Sequence, residues 1–212
     1  MTDRLEKVRA RMTQTARFYI HNDLSMAALH FKDNIDAKES GEDARGGKTY
    51  EYMACAVMLA FTFEAKVNFL GWKLIPEWKE FQPFYDKVDQ VFKKLGLELD
   101  WGKRPYSSIL AMKRFRDEIA HGKPLVIKSD EIVTMKAEEL DRRVDLTGKW
   151  QEGCQPHTVN LACDDINVIW RRMLEASGLE ILDTISSGEG GILFIEKVVE
   201  GGEPTSVAEP AK

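Results

Sequence analysis

The chain has 212 residues and a formal net charge of −5, with 43% hydrophobic and 31% charged residues. That length fits one folded domain, and the composition is that of a globular chain. The mild acidity excludes indiscriminate nucleic-acid binding, which needs a broad basic surface. Cys55, Cys154 and Cys163 form neither a disulfide framework nor a metal-ligand spacing, which fits a reducing compartment. The start, MTDRLEKVRARM, is charged and lacks an apolar core, so no signal peptide is expected. The longest apolar stretch, Met53 to Phe63, is shorter than the ~18 residues of a membrane span. A cytoplasmic protein with no membrane segment is expected.

Taken in chain order, the first predicted helix runs from about Asp3 to Lys38. Leu5, Val8, Met12, Tyr19, Leu24, Ala27, Ala28, Phe31 and Ile35 approximate a helical stripe, with a bend at His21-Asn22-Asp23. The polar stretch Ser40 to Gly47 reads as a loop. A second helix is predicted from Thr49 to Leu74, with Met53, Ala56, Val57, Ala60, Phe63, Val67, Leu70 and Leu74 on its buried face. A third spans roughly Trp78 to Leu95 and ends at Gly96, with Pro83 confined to its first turn or to a kink. The fourth begins near Pro105, a favoured first-turn residue. Ile109, Met112, Phe115 and Ile119 form its stripe, and Gly122 and Pro124 end it at His121.

Beyond the fourth helix, Leu125 to Lys128 is a candidate strand and residues 132–150 are charged and irregular. A fifth helix is predicted from Asp164 or Asp165 to Ser177. Ile192 to Val199 reads as a late strand able to pair with Leu125 to Lys128, and residues 201–212 as a disordered tail. The whole is expected to be one mainly α-helical domain over residues 1–200. Its core is an antiparallel bundle at about 20–122, followed by a small β-containing or irregular insertion.

The most informative stretch is Arg116-Asp117-Glu118-Ile119-Ala120-His121-Gly122. Arg offers a forked set of donors that suits a phosphate, and His moves protons near neutral pH. Positions five apart are separated by about 140° on an ideal helix. A terminal residue can leave helical dihedrals, which would let His121 swing toward Arg116. Around the pair lies a local basic patch that includes Lys113, Arg114 and Lys123.

At these residues the chain resembles the HEPN superfamily of α-helical bundles. Its signature is Arg, a polar residue and, a few positions on, His near a helix end; Arg116, Asp117 and His121 match it. The segment FTFEAKVNFLGWKL also looks like the second helix of such proteins, with Glu64 and Asn68 on one face. The resemblance implies a metal-independent endoribonuclease, needing no cofactor, that dimerises so that two Arg–His motifs face one cleft. His121 would transfer protons at the ribose 2′-hydroxyl or the leaving oxygen. Arg116 would bind the scissile phosphate, and Asp117 would position Arg116 or His121. The products would carry 2′,3′-cyclic phosphates. Such an enzyme would be a toxin with a protein antitoxin, or a defence nuclease. Other members are binding modules for RNA, nucleotide or protein, and the motif does not choose between them.

Each feature also has a plainer reading. Arg116 can simply pair with Glu or Asp while His121 caps a solvated helix end, leaving a structural dimerisation domain. Glu64 and Asn68 can make interhelical hydrogen bonds, or Glu64 can support Arg116 electrostatically. Lys113 and Arg114 can contact RNA backbone or form a solvated face. His21 and His30, nine apart and read as sharing a face, lack partners for a metal site. Ser107 and Ser108 are candidate helix caps.

Overall fold

The computed structural model describes residues 7–40, 48–137, 139 and 148–198. Its elements are β1 (Lys7–Arg17), α1 (Ile20–Ser40), α2 (Lys48–Leu74), α3 (Phe84–Leu95), α4 (Tyr106–Ala120), α5 (Pro156–Ser177) and β2 (Ser187–Val198), with short 3-10 helices at Lys149–Cys154 and Ile181–Thr184. The protein is thus mainly α-helical with one small antiparallel sheet. Its contacts divide it into two units: a helical body over 19–185, and the segments 1–18 and 186–212, which hold the two strands.

The strands correct two expectations. Residues 7–17 are a strand, not the start of a long helix, and β2 pairs with them in antiparallel register rather than with Leu125 to Lys128. The run KVRARMTQTAR alternates with a period of two, so Val8, Ala10 and Met12 fall on one face and Arg9, Arg11 and Thr13 on the other. Met12 opposes Ile192 and Ala10 opposes Phe194, while Arg9 bridges Glu196 at 3.2 Å. A bulge between Arg9 and Ala10 shifts the register. The glycines 188, 190 and 191 lie within β2, and residues 122–136 carry no regular secondary structure. The Ser40 to Gly47 loop and the tail lie essentially outside the described residues.

In the helical body α2 is central and packs against α1, α3, α4 and α5. Its small residues Cys55, Ala56 and Ala60 admit close neighbours, and Phe63, Val67 and Leu70 fill the space between them. Val88, Val91 and Phe92 from α3, Ile109, Met112 and Phe115 from α4, and Val159, Ile166, Ile169 and Met173 from α5 complete the core. α2 is long and apolar enough to cross a membrane, yet 61% of its most apolar stretch is buried by the bundle. That is the behaviour of a core helix.

Several boundaries move. α1 starts at Ile20, before His21-Asn22-Asp23, which continue it rather than bend it. α3 starts at Phe84 behind Pro83, not at Trp78, because proline fixes a non-helical entry there. Gly96 takes the left-handed conformation at φ 66° and closes α3 as expected. Gly122 does not: α4 ends on His121 at φ −113°, ψ 18°, and no left-handed glycine follows. α5 begins at Pro156, about two turns earlier than its apolar stripe suggested, with proline in its first turn.

No side chain caps α4. Ser108 instead donates to Asp165 Oδ2 at 2.5 Å, and Arg104 donates to both Asp165 oxygens at 2.8 and 2.9 Å. Burial alone would raise the Asp165 pKa, but Arg104 and Ser108 outweigh it and hold the carboxyl below its usual range. Asp165→Ala is therefore expected to destabilise the bundle by about 1–2 kcal/mol, since Ser108 loses its acceptor while exposed Arg104 turns to water. Urea denaturation measures this, and an unchanged midpoint would mean the clamp adds nothing.

Candidate functional site

The site begins on α4, where Arg116 and Asp117 occupy the last turn but one. Beneath them α2 presents Glu64 and α3 presents Lys87, so three helices contribute to one polar cluster. Glu64 Oε1 accepts from Lys87 Nζ, and Glu64 Oε2 accepts from an Arg116 terminal nitrogen at 2.5 Å. Asp117 Oδ1 accepts from Arg116 Nε at 3.2 Å and from its other terminal nitrogen at 2.9 Å. Asp117 Oδ2 accepts from Lys113 Nζ at 2.5 Å.

Two aromatic rings border this cluster. The Arg116 guanidinium lies 5.4 Å from the Phe61 ring centre, and Lys113 Nζ lies 5.3 Å from that of Tyr85. Both residues are partly open to solvent, each 40% exposed.

The electrostatics follow from these pairs. Burial raises the carboxyl pKa of Glu64, but Lys87 and Arg116 more than offset it and hold the group below its usual range. Burial likewise opposes ionisation of Asp117, and Lys113 and Arg116 prevail. Burial works against the Arg116 charge, yet Asp117 and Glu64 raise its pKa. Among the described residues, three cations stand against two carboxylates, which leaves the cluster a net positive charge.

A guanidinium carries five N–H donors. Among the described residues, the three hydrogen bonds to Glu64 and Asp117 leave two on the terminal nitrogens of Arg116. Arg116 is therefore oriented but not saturated.

His121 ends the same helix one turn further on. Its backbone N–H donates to Asp117 O at 2.9 Å and its side chain is exposed, without a hydrogen bond or ion pair among the described residues. Within one chain Arg116 and His121 are not joined. Asp117 serves Arg116, not His121, and Arg116 pairs with two carboxylates as its plainer reading held. Arg114 and Lys123 are exposed. Asn68 is half-buried on α2, and its Oδ1 has no partner. It takes no part in the network.

Lys87 belongs to the cluster, although the sequence reading passed over it. Its side chain is only 3% exposed. Its signal was its spacing: Lys87 lies three residues after Phe84 and four before Val91, on the buried stripe of α3. His21 and His30 do not share a face, since nine steps of 100° leave them half a turn apart. His21 is buried and His30 exposed. Among the described residues, no group of three or more His, Cys, Asp or Glu gathers as a metal would require. Comparison with protein families, with curated proteins and with solved structures finds no match to this chain.

Proposed function

We propose that this protein is a HEPN-type, metal-independent endoribonuclease acting as a homodimer. The observation that carries the reading is Arg116: held by Glu64 and Asp117, it keeps two donors for phosphate oxygens in a cluster of net positive charge. A pre-oriented guanidinium can stabilise charge that develops on a phosphate without reorganising. His121, one turn on and exposed, supplies the proton-transfer group. Phe61 and Tyr85 offer faces on which unpaired bases can stack. Lys113, Arg114 and Lys123 supply the local cations that bring the RNA backbone to this face.

A second copy completes the site on this reading, bringing its own Arg and His to the same cleft. Exposed Ile119, three residues after Arg116 on α4, is apolar surface for such a contact. A protein antitoxin is the further partner expected if the enzyme is a toxin.

The lack of a side-chain partner for His121 among the described residues favours one alternative, a module that binds RNA or nucleotide without cleaving it. His121→Ala separates the two. If the enzyme reading holds, the variant keeps RNA affinity within about threefold of wild type but loses cleavage by roughly 10²–10⁴-fold, the usual worth of a general acid or base. Wild type that binds RNA and leaves it intact would establish the module instead.

A further inference from the structure

α1, α2 and α5 enclose a cavity of about 220 Å³ on the side of α2 away from Glu64. Its walls are mainly apolar: Ala28, Leu29, Leu59 and Ile166 line it beside Thr62 and Lys66. Lys66 is 5% exposed and has no ion-pair partner among the described residues; its ammonium lies 4.9 Å from the centre of the Trp170 ring. Thr62 is 2% exposed, and its hydroxyl oxygen is buried without a hydrogen-bond partner. Two polar groups that folding ordinarily satisfies thus lack a hydrogen-bond or ion-pair partner among the described residues on the wall of an apolar chamber.

We propose that this cavity binds a small monocarboxylate with a compact apolar body, Lys66 serving as its counter-ion and Thr62 Oγ1 as a hydrogen-bond donor. The geometry selects the charge. Lys32, the other cation on the wall, is already paired with Asp36, so among the described residues Lys66 is the wall cation without a carboxylate partner and matches one anionic group. The apolar wall accounts for the rest of the ligand, and the volume lies below the ~300 Å³ typical of pockets for larger molecules. Exposed Leu29 and Met26 mark the mouth.

Among the described residues no carboxylate pairs with Lys66; Asp23 acts on His21 instead. His21 lies near enough for Lys66 to help lower its pKa, Trp170 offers a ring face, and the Cys163 thiol interacts with Cys55. Burial lowers the Lys66 pKa to about 8. A bound carboxylate would hold the ammonium charged, so binding weakens as pH rises above that value.

The test uses the full chain with benzoate and hexanoate as probes, sodium chloride at matched ionic strength, and benzyl alcohol as a neutral analogue. Near neutral pH the carboxylates are expected to raise the thermal midpoint saturably, and the alcohol to leave it unchanged. Lys66→Met abolishes the ligand-dependent shift while raising the midpoint of the free protein, because it removes an unpaired buried charge. Thr62→Val weakens half-saturation by about fivefold or more and decides the matter should Lys66→Met fail to fold. Absence of a saturable shift in wild type, or an equal shift in both variants, would overturn the proposal.

Discussion

Glu64→Ala is expected to cost about 3 kcal/mol of folding stability, the scale on which removing one partner of a buried ion pair acts. The reason is Lys87 more than Arg116. Lys87 is 3% exposed, and its remaining partner would be the carbonyl of Glu80 at 3.2 Å. Arg116, less deeply buried, keeps Asp117. A second substitution isolates the cause: Lys87→Met together with Glu64→Ala leaves no unpaired charge on α3, so the double variant is expected to be more stable than Glu64→Ala alone. Urea denaturation of the set measures both effects. A loss below about 0.5 kcal/mol for Glu64→Ala would mean that water reaches Lys87 and that the cluster is a surface network of little worth.

The same substitution bears on the site. Glu64 supplies one of the two carboxylates that fix the Arg116 fork, so under the proposed function its removal is expected to lower RNA cleavage along with stability. Acid has a related effect. The folded-state pKa values of Glu64, Asp117 and Asp165 are depressed, so their contributions are present above the ordinary carboxylate range and are lost as pH falls through the folded values.

The second large effect lies at higher pH and belongs to His21. Burial, then the nearby Lys66 charge, lower its pKa from 6.5 to about 4, against opposing pulls from Asp23 and a hydrogen bond to the Thr184 backbone. The ring is 2% exposed, between Tyr19, Phe69 and Trp170, and its Nε2 has no partner. Between pH 6.5 and 4 the unfolded chain takes up a proton that the folded chain refuses. Stability therefore falls as pH falls through that window, by about 3 kcal/mol once pH is below both values. His21→Phe removes the titrating group and keeps a ring in the aromatic cluster. Its unfolding free energy is expected to stay nearly flat over the same window. A wild-type profile that is equally flat would show that His21 is solvated or already protonated.

Legibility in the sequence followed the strength of each pattern. α2 and α4 could be read almost to the residue because apolar positions recur at helical spacing and prolines or polar runs bound them. The segment Lys7–Arg17 misled because Val8 and Met12, four apart, fit a helical stripe, while Val8, Ala10 and Met12 equally fit a strand. The decisive fact was its partner at the other end of the chain, which no local window contains. Leu125 to Lys128 had strand-forming residues, but among the described residues it pairs with no strand.

At the site, Glu64 was singled out by the resemblance of its segment to a HEPN helix, beside the buried stripe of α2, and the structure joins it to Arg116 across 52 residues of sequence. Lys87 and Lys66 were missed for one reason. Each lies on a stripe otherwise filled by apolar residues: Lys87 with Phe84 and Val91, Lys66 with Phe63 and Leu70. A lysine in such a register is either snorkelling or buried, and only the neighbouring helices decide which.

The most direct measurement on the central claim is the chemistry of the RNA ends left by purified wild type in excess chelator, with Arg116→Ala and His121→Ala as controls. The account predicts cleavage by wild type alone, with 2′,3′-cyclic phosphate on the upstream fragment. Intact RNA with folded wild type, or equal cleavage by all three proteins, would contradict it.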